Sequence, residues 1–302
     1  MKCPGQDGVI RDWLNNRPAL RLGLGATLLS FAPILVRVSE SPPTATAFYR
    51  TFMGGLMMLL YLGIRRQPII LQRRMMLMLC AAGAAFALDL FFWHRSIYRV
   101  GPGLATLLSG FQVFILAIVG VFVFGERLRW QLVVSIPSAL LGIALIIGID
   151  WSLLRPAYRT GKVFGLITAL CYSGYLLLMR WARKNARDSV SPFAEVAWMS
   201  VASAAVLAAL TLKTGESLAI TGSREAILLF GYAFLAQFAL VVISSSLRSV
   251  AASLVGLLLL LEPTFAYVWD LSFFHRSLTL TEMSGAALAI FAIFLGSAKS
   301  SG

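Results

Sequence analysis

The sequence predicts an all-α polytopic membrane protein, with ten transmembrane helices in two inverted five-helix repeats around a central cavity. Three observations carry this. Of 302 residues, 59% are apolar and only 13% charged, against roughly 25% charged in an ordinary soluble domain. Mean hydropathy is +0.82 over the whole length, which leaves no room for a soluble domain of any size. The chain also repeats itself, without gaps, at an offset of 150 residues.

Apolar runs long enough to cross a ~30 Å hydrocarbon core, about 20 residues each, alternate with charged or Pro/Gly-rich gaps. They place helices at 20–37, 43–62, 75–95, 102–123, 130–149, 162–181, 191–211, 225–246, 249–270 and 280–298. The first follows Arg11, Arg17 and Arg21, as a signal peptide would, and "TATA" (Thr44–Ala47) has the look of a cleavage site. That site lies past Arg37 and Glu40, and further spans follow, so the first helix is read as retained. The second carries Arg50 and the pair Gly54–Gly55. The third has Gly83 and ends in "LFFWH" (Leu90–His94), whose Trp and His suit the interface. "GPG" (Gly101–Gly103) makes the turn into the fourth helix, and "GERL" (Gly125–Leu128) closes it. Trp130, Trp151 and Trp269 are assigned to the interface belts. The sixth helix carries Tyr172 and Tyr175, the eighth Gln237, and the ninth the run "LLLLLEPTF" (Leu257–Phe265). This gives a tail at 1–19, a first repeat at 20–149, a join at 150–161, a second repeat at 162–298 and a short tail at 299–302. Nothing outside the membrane is large enough to fold alone.

A net charge of +13 would suggest nucleic acid in a soluble protein. Here the Lys and Arg fall in the gaps between apolar runs, where they set topology, so no nucleic-acid partner is expected. With the N-terminus inside, 16 of the 26 lie on the cytoplasmic side. This predicts a multi-pass protein of the inner membrane with both termini cytoplasmic. Cys3, Cys80 and Cys171 form no CxxC pair, and His94 and His275 are the two histidines. No disulfide, metal or cofactor is therefore expected. The chain has no GxxxxGK[ST], which argues against ATP-driven transport by this chain alone, and no HExxH or GxSxG, so no enzyme is expected.

The repeat superposes "SIYRVGPGLATLLSGFQVFILAIVGVFVFGERL" (Ser96–Leu128) on "SLRSVAASLVGLLLLLEPTFAYVWDLSFFHRSL" (Ser246–Leu278). The match runs through helix–loop junctions, which chance alignment of leucine-rich helices does not explain. With five helices per half, the second half inserts upside down. Inverted repeats place a solute site near the midplane between the halves, the plan of a transporter. The stretch "SVAASLVGLLLLLEPTFAYVW", the tenth helix "MSGAALAIFAIFLGSA", "GERL" and "FYRTFMGGLMM" (Phe48–Met58) resemble the drug/metabolite transporter superfamily of the EamA type. The resemblance covers both halves. It implies ten helices in two inverted repeats, a cavity lined mainly by helices one, three, four, six, eight and nine, and small metabolites, often amino acids, as substrates. Two positions depart from the pattern. Val113 stands where helix four usually has proline, and "FHR" (Phe274–Arg276) stands opposite "GER".

Depth selects the candidate site residues. At ~1.5 Å per helical residue, Glu262 lies roughly 18 Å into helix nine, near the centre. Ser30, Gln112, Tyr172, Tyr175 and Gln237 lie at similar depth, and Gln112 is the repeat partner of Glu262. A charge at that depth costs about 2.5–3.5 kcal/mol in lipid, so these groups are expected to face a cavity or each other. For Gln112 and Gln237, simple bonds across helices are the equal alternative. Pro263 frees a backbone carbonyl near Leu259. Arg50 and Asp89 come from adjacent helices at comparable depth, which predicts a buried ion pair; the alternative is that Arg50 faces a substrate carboxylate. Phe86, Asp89 and Trp93 share one helical face, and the carboxylate argues that it points inward. The candidate substrate contacts are therefore Glu262, Gln112, Tyr172, Tyr175, Gln237, Ser30, Asp89, Trp93 and Arg50.

Together these predict a monomeric secondary transporter, exporter or facilitator, of small organic metabolites in the bilayer, amino acids first. A proton-coupled exporter of organic cations is the second reading. A channel would need a filter or charged ring, and a scaffold would not need polar groups at mid-depth on several helices.

Overall fold

In a bilayer the backbone must satisfy its own hydrogen bonds, which leaves helices as the economical solution for apolar segments. The computed structural model describes residues 17–69, 71–126, 130–147, 156–184, 190–274 and 280–297, and they form thirteen helices with no strand among the described residues. The first span is split into α1 (Pro18–Leu29) and α2 (Ala32–Val38). The second is α3 (Pro43–Ile64) and the third α4 (Arg73–Val100). The fourth is split into α5 (Pro102–Ser109) and α6 (Gln112–Phe122), and the fifth is α7 (Trp130–Ile147). The second half follows with α8 (Pro156–Lys184), α9 (Pro192–Thr214) and α10 (Gly222–Leu247). Its ninth span is split into α11 (Ala252–Leu259) and α12 (Leu261–Phe274), and α13 (Leu280–Ser297) is the tenth. Among the described residues, eight of the ten spans are long and apolar enough to cross a membrane. The fifth and tenth are helices of 18 residues each.

Proline writes much of this segmentation. Pro18, Pro43, Pro102, Pro156 and Pro192 each stand at the first residue of a helix, where the missing N–H costs nothing. Inside a span, proline removes the bond to the carbonyl four residues earlier. Pro33 does this to Leu29, where α1 ends, and Pro263 does it to Leu259, where α11 ends. The fourth span breaks at the matching place, after Ser109, although Val113 keeps its N–H. That N–H bonds the carbonyl of Gly110 at 3.1 Å, one residue short of the helical partner. Loss of the proline has therefore not removed the break. Between the third and fourth spans the whole turn is Gly101, whose φ of 91° suits glycine.

Packing repeats the symmetry seen in the sequence. The second span packs on the seventh, the fourth on the ninth and the fifth on the tenth. Contacts of the third with the sixth and seventh are matched by those of the eighth with the first and second. This is the pattern of a pseudo-two-fold axis between two inverted halves.

Carboxylates tie both ends of the bundle. At one end Glu225 accepts from Ser39 Oγ (2.6 Å), Ser41 Oγ (2.7 Å) and the N–H groups of Glu40 and Ser41. Glu216 there binds Arg95 and the N–H and hydroxyl of Thr44 at the start of α3. At the other end Glu126, beyond α6, accepts from Arg180 of α8 (2.9 Å) and from the N–H groups of Ala252 (2.7 Å) and Ser253 (3.2 Å) opening α11. The side chains of Arg180 and Glu126 are only 14% and 11% exposed. Glu126→Gln should therefore lower stability by about 1.5–3 kcal/mol, the range for hydrogen bonds to a charged group. In detergent melts the double change Glu126→Gln with Arg180→Gln should cost less than the two singles added together.

Candidate functional site

The three broken spans meet at one cavity. Leu29 ends α1, Ser109 ends α5 and Glu262 stands in the first turn of α12, and all three line it. Arg50 of α3, Phe86, Asp89, Leu90 and Trp93 of α4, and Thr168 and Tyr172 of α8 complete the wall. Its ≈ 20 Å³ of room for the centre of a water-sized sphere exceeds the roughly 10–15 Å³ that one water needs. A larger solute enters only if side chains or helices move.

The face of Phe86, Asp89 and Trp93 points inward, as its carboxylate suggested. Trp93 is fixed by a bond from its indole N–H to Thr106 Oγ1 at 3.3 Å. Glu262 and Tyr172 also face the cavity. Neither Asp89 nor Glu262 forms an ion pair among the described residues. Thr168 Oγ1, Tyr172 Oη and Arg50 Nε are buried without a hydrogen-bond partner among them. Orphaned polar atoms on the wall of an intramembrane cavity are what a polar ligand would satisfy.

The ion pair expected between Arg50 and Asp89 is not formed. The guanidinium instead donates from Nη1 to Tyr232 Oη at 2.9 Å and lies over the rings of Phe86 and Tyr232, 5.3 and 5.2 Å from their centroids. Helix length explains the error. α4 runs to Val100, not 95, so Asp89 lies eleven residues from that end, while Arg50 lies seven from the start of α3. At ~1.5 Å per residue the aspartate sits about 6 Å deeper. The residue level with Arg50 is His94. Its Nδ1 lies 2.8 Å from the carbonyl of Leu90, which can only accept, so Nδ1 carries the proton and Nε2 accepts from Tyr232 Oη at 3.3 Å. The chain Arg50–Tyr232–His94–Leu90 is buried throughout, none of its residues more than 3% exposed.

Four candidate residues lie off the cavity wall. Tyr175 lies behind it, tilted against Phe86 at 4.7 Å and stacked on Tyr172 at 5.6 Å, and is 0% exposed. Ser30 is engaged by Trp269, which donates to its hydroxyl at 2.9 Å and stacks on Phe31. Trp269 therefore braces the break in the first span, whereas Trp130 is 65% exposed. Trp151 lies outside the described residues. Gln237 donates to Ser200 at 2.6 Å and lies where a side chain on Gly54 would be, so it fills the seam between α3, α9 and α10. Gln112 is 1% exposed, with no partner for its Oε1 among the described residues. The wall thus draws on the first, second, third, fourth, sixth and ninth spans; the second replaces the eighth expected.

Tyr232 and His94 were not legible as site residues. Tyr232 lies ten residues into α10, and His94 falls where the apolar run of the third helix fades. The sequence held no signal for them, because with Asp89 read at the depth of Arg50 the arginine needed no neutral acceptor.

Comparison with known proteins adds the following. The sequence profile described as the EamA-like transporter family matches twice, over residues 19–148 and 159–298. Comparison with curated proteins returns no match. A solved crystal structure, described only as that of a protein, superposes with a TM-score of 0.74 at 18% identity. The match covers 92% of this chain and 97% of the other, and what it shares is the fold.

Two outcomes test this geometry. Tyr232→Phe leaves a buried guanidinium hydrogen without its acceptor and should cost about 1.5–3 kcal/mol in detergent unfolding. With Cys80 and Cys171 removed, cysteine at position 172 should react with a small water-soluble thiol reagent, while cysteine at 175 should stay inert.

Proposed function

The chain belongs to the EamA-like transporter family, and from that premise we propose that it carries a zwitterionic amino acid, or a metabolite built like one, across the inner membrane. The observation that carries this reading is that one guanidinium, Arg50, and two carboxylates, Asp89 and Glu262, face a single cavity with no contact ion pair among them. A guanidinium offers a planar, always charged fork for a carboxylate. Two carboxylates offer counter-charge to an ammonium. Tyr172, Trp93 and Phe86 offer rings to the rest of the solute. Ser30, Gln112, Tyr175 and Gln237 act as supports that hold these contacts in place.

Transport proceeds by alternating access, in the export direction, with the protein acting as a monomer and both termini in the cytoplasm. The half-helix breaks at Ser30, Gly110 and Leu260 are the natural hinges, because the regular bond ladder is already interrupted there. A second reading, export of organic cations, is favoured by the excess of two carboxylates over one guanidinium at the wall.

Counterflow in proteoliposomes separates the two. An amino acid and its decarboxylated amine are compared in wild type, Glu262→Gln and Arg50→Gln. On the amino-acid reading, saturable counterflow of the amino acid falls about 10- to 100-fold in both variants, the worth of one charge-assisted bond. If Arg50→Gln spares the amine and the wild type prefers it, the solute is a cation. Undiminished counterflow in Glu262→Gln would remove that carboxylate from the site.

A further inference from the structure

Away from the central cavity, two hollows meet where α6 runs alongside α8. One is an apolar groove of ≈ 420 Å³, walled by Val119, Val123 and Phe124 on one side and by Leu177, Trp181 and Lys184 on the other. Val119 and Val123 are four residues apart, and Leu177, Trp181 and Lys184 follow at intervals of four and three, so each set forms one helical face. The second hollow, of ≈ 430 Å³, is polar and is lined by Phe124, Glu126, Arg180, Lys184 and Arg248. Phe124 and Lys184 belong to both, so the two adjoin as a slot with an apolar length and a basic mouth.

The charges at the mouth are unequal. Among the described residues lining it, Glu126 is the single carboxylate, and it is engaged by Arg180 and by the N–H groups opening α11. Among the described residues that line the mouth, Lys184 and Arg248 are exposed and stand with Arg180 as three cations to one carboxylate. Trp181, 48% exposed, marks the level of the membrane interface between groove and mouth. A ligand that matches this order has an apolar tail, a glycerol-level middle and an anionic head.

We propose that the slot between α6 and α8 binds an anionic phospholipid, with its acyl chain along Val119, Val123 and Trp181 and its phosphate at Lys184 and Arg248. The ordinary lipid annulus would fill the groove with any chain. The basic mouth is what selects the head group, because each Lys or Arg at a membrane surface favours anionic lipid by roughly fivefold in binding. The head group would also lie against the Glu126–Arg180 tie, so bound lipid steadies that end of the bundle.

Native mass spectrometry of the purified, delipidated full-length protein tests this, titrating phosphatidylglycerol and phosphatidylcholine of identical acyl chains. Wild type should retain phosphatidylglycerol in preference to phosphatidylcholine. The double change Lys184→Gln with Arg248→Gln should weaken phosphatidylglycerol about 25-fold, and Lys184→Gln alone about fivefold, with phosphatidylcholine unmoved. Val123→Trp fills the groove without touching the charges and should also lose phosphatidylglycerol. Soluble glycerol phosphate at matching concentration should not displace the lipid. Equal retention of the two lipids, unchanged binding in the double variant, or displacement by glycerol phosphate would each overturn the proposal.

Discussion

Inside a bilayer a backbone carbonyl without a partner is costly, and in this bundle three spans lose a regular carbonyl bond at one place. The breaks after Leu29, Ser109 and Leu259 all reach the same cavity. That convergence is what makes the site possible. Irregular backbone is tolerated at membrane depth only where it is buried in protein or lines a polar space. Once the breaks are gathered there, the polar side chains beside them find the same shelter. Glu262 next to its proline is the plainest case. The helix breaker and the carboxylate come as neighbours because both need the cavity.

Arg50 shows how a charge can be stored at such a site without being neutralised. A carboxylate level with it would have closed the guanidinium into a pair. The structure instead gives it a tyrosine hydroxyl and two aromatic faces, which satisfy one arm and stabilise the charge through the ring quadrupoles. Tyr232 is in turn held by His94, whose tautomer is set by the carbonyl of Leu90. Every partner in the chain is neutral. The guanidinium therefore meets no counter-charge along this chain and reaches the cavity with Nε unpaired among the described residues.

The fold was legible because composition, span length and the 150-residue repeat are global properties that small errors do not disturb. The inward face of Phe86, Asp89 and Trp93 was legible because helical spacing fixes it. Depth was not. Hydropathy stops counting a helix where polar residues begin, yet α4 continues for five residues past 95 with Arg95 and Arg99 in its last turns. That displaced Asp89 and hid His94. Gln237 misled for another reason: depth does not say which way a side chain points, and Gly54 opens a slot for it in a seam.

The two halves cap opposite ends of the bundle with unlike residues. Gly103 and Ser253 are equivalent positions at the start of α5 and α11, and each N–H is met by a carboxylate from the opposing span, Asp270 and Glu126 respectively. Those carboxylates are not equivalent. The repeat partner of Asp270 is Gly120, and that of Glu126 is Arg276, outside the described residues. Glu126 comes from beyond the helix and folds back, its Oε2 only 2.5 Å from where a Cβ on Gly120 would stand. The glycine is thus the space the glutamate occupies. Anionic caps suit helix N-termini on electrostatic grounds, so the geometry of two opposed half-helices demands a cap at each end. The sequence of each half was free to supply it differently. Where Asp270 caps from within α12, Glu126 caps from beyond α6, where it also binds Arg180 of α8. The two ends of the bundle therefore open against different sets of bonds, although the helices that carry them are related by symmetry.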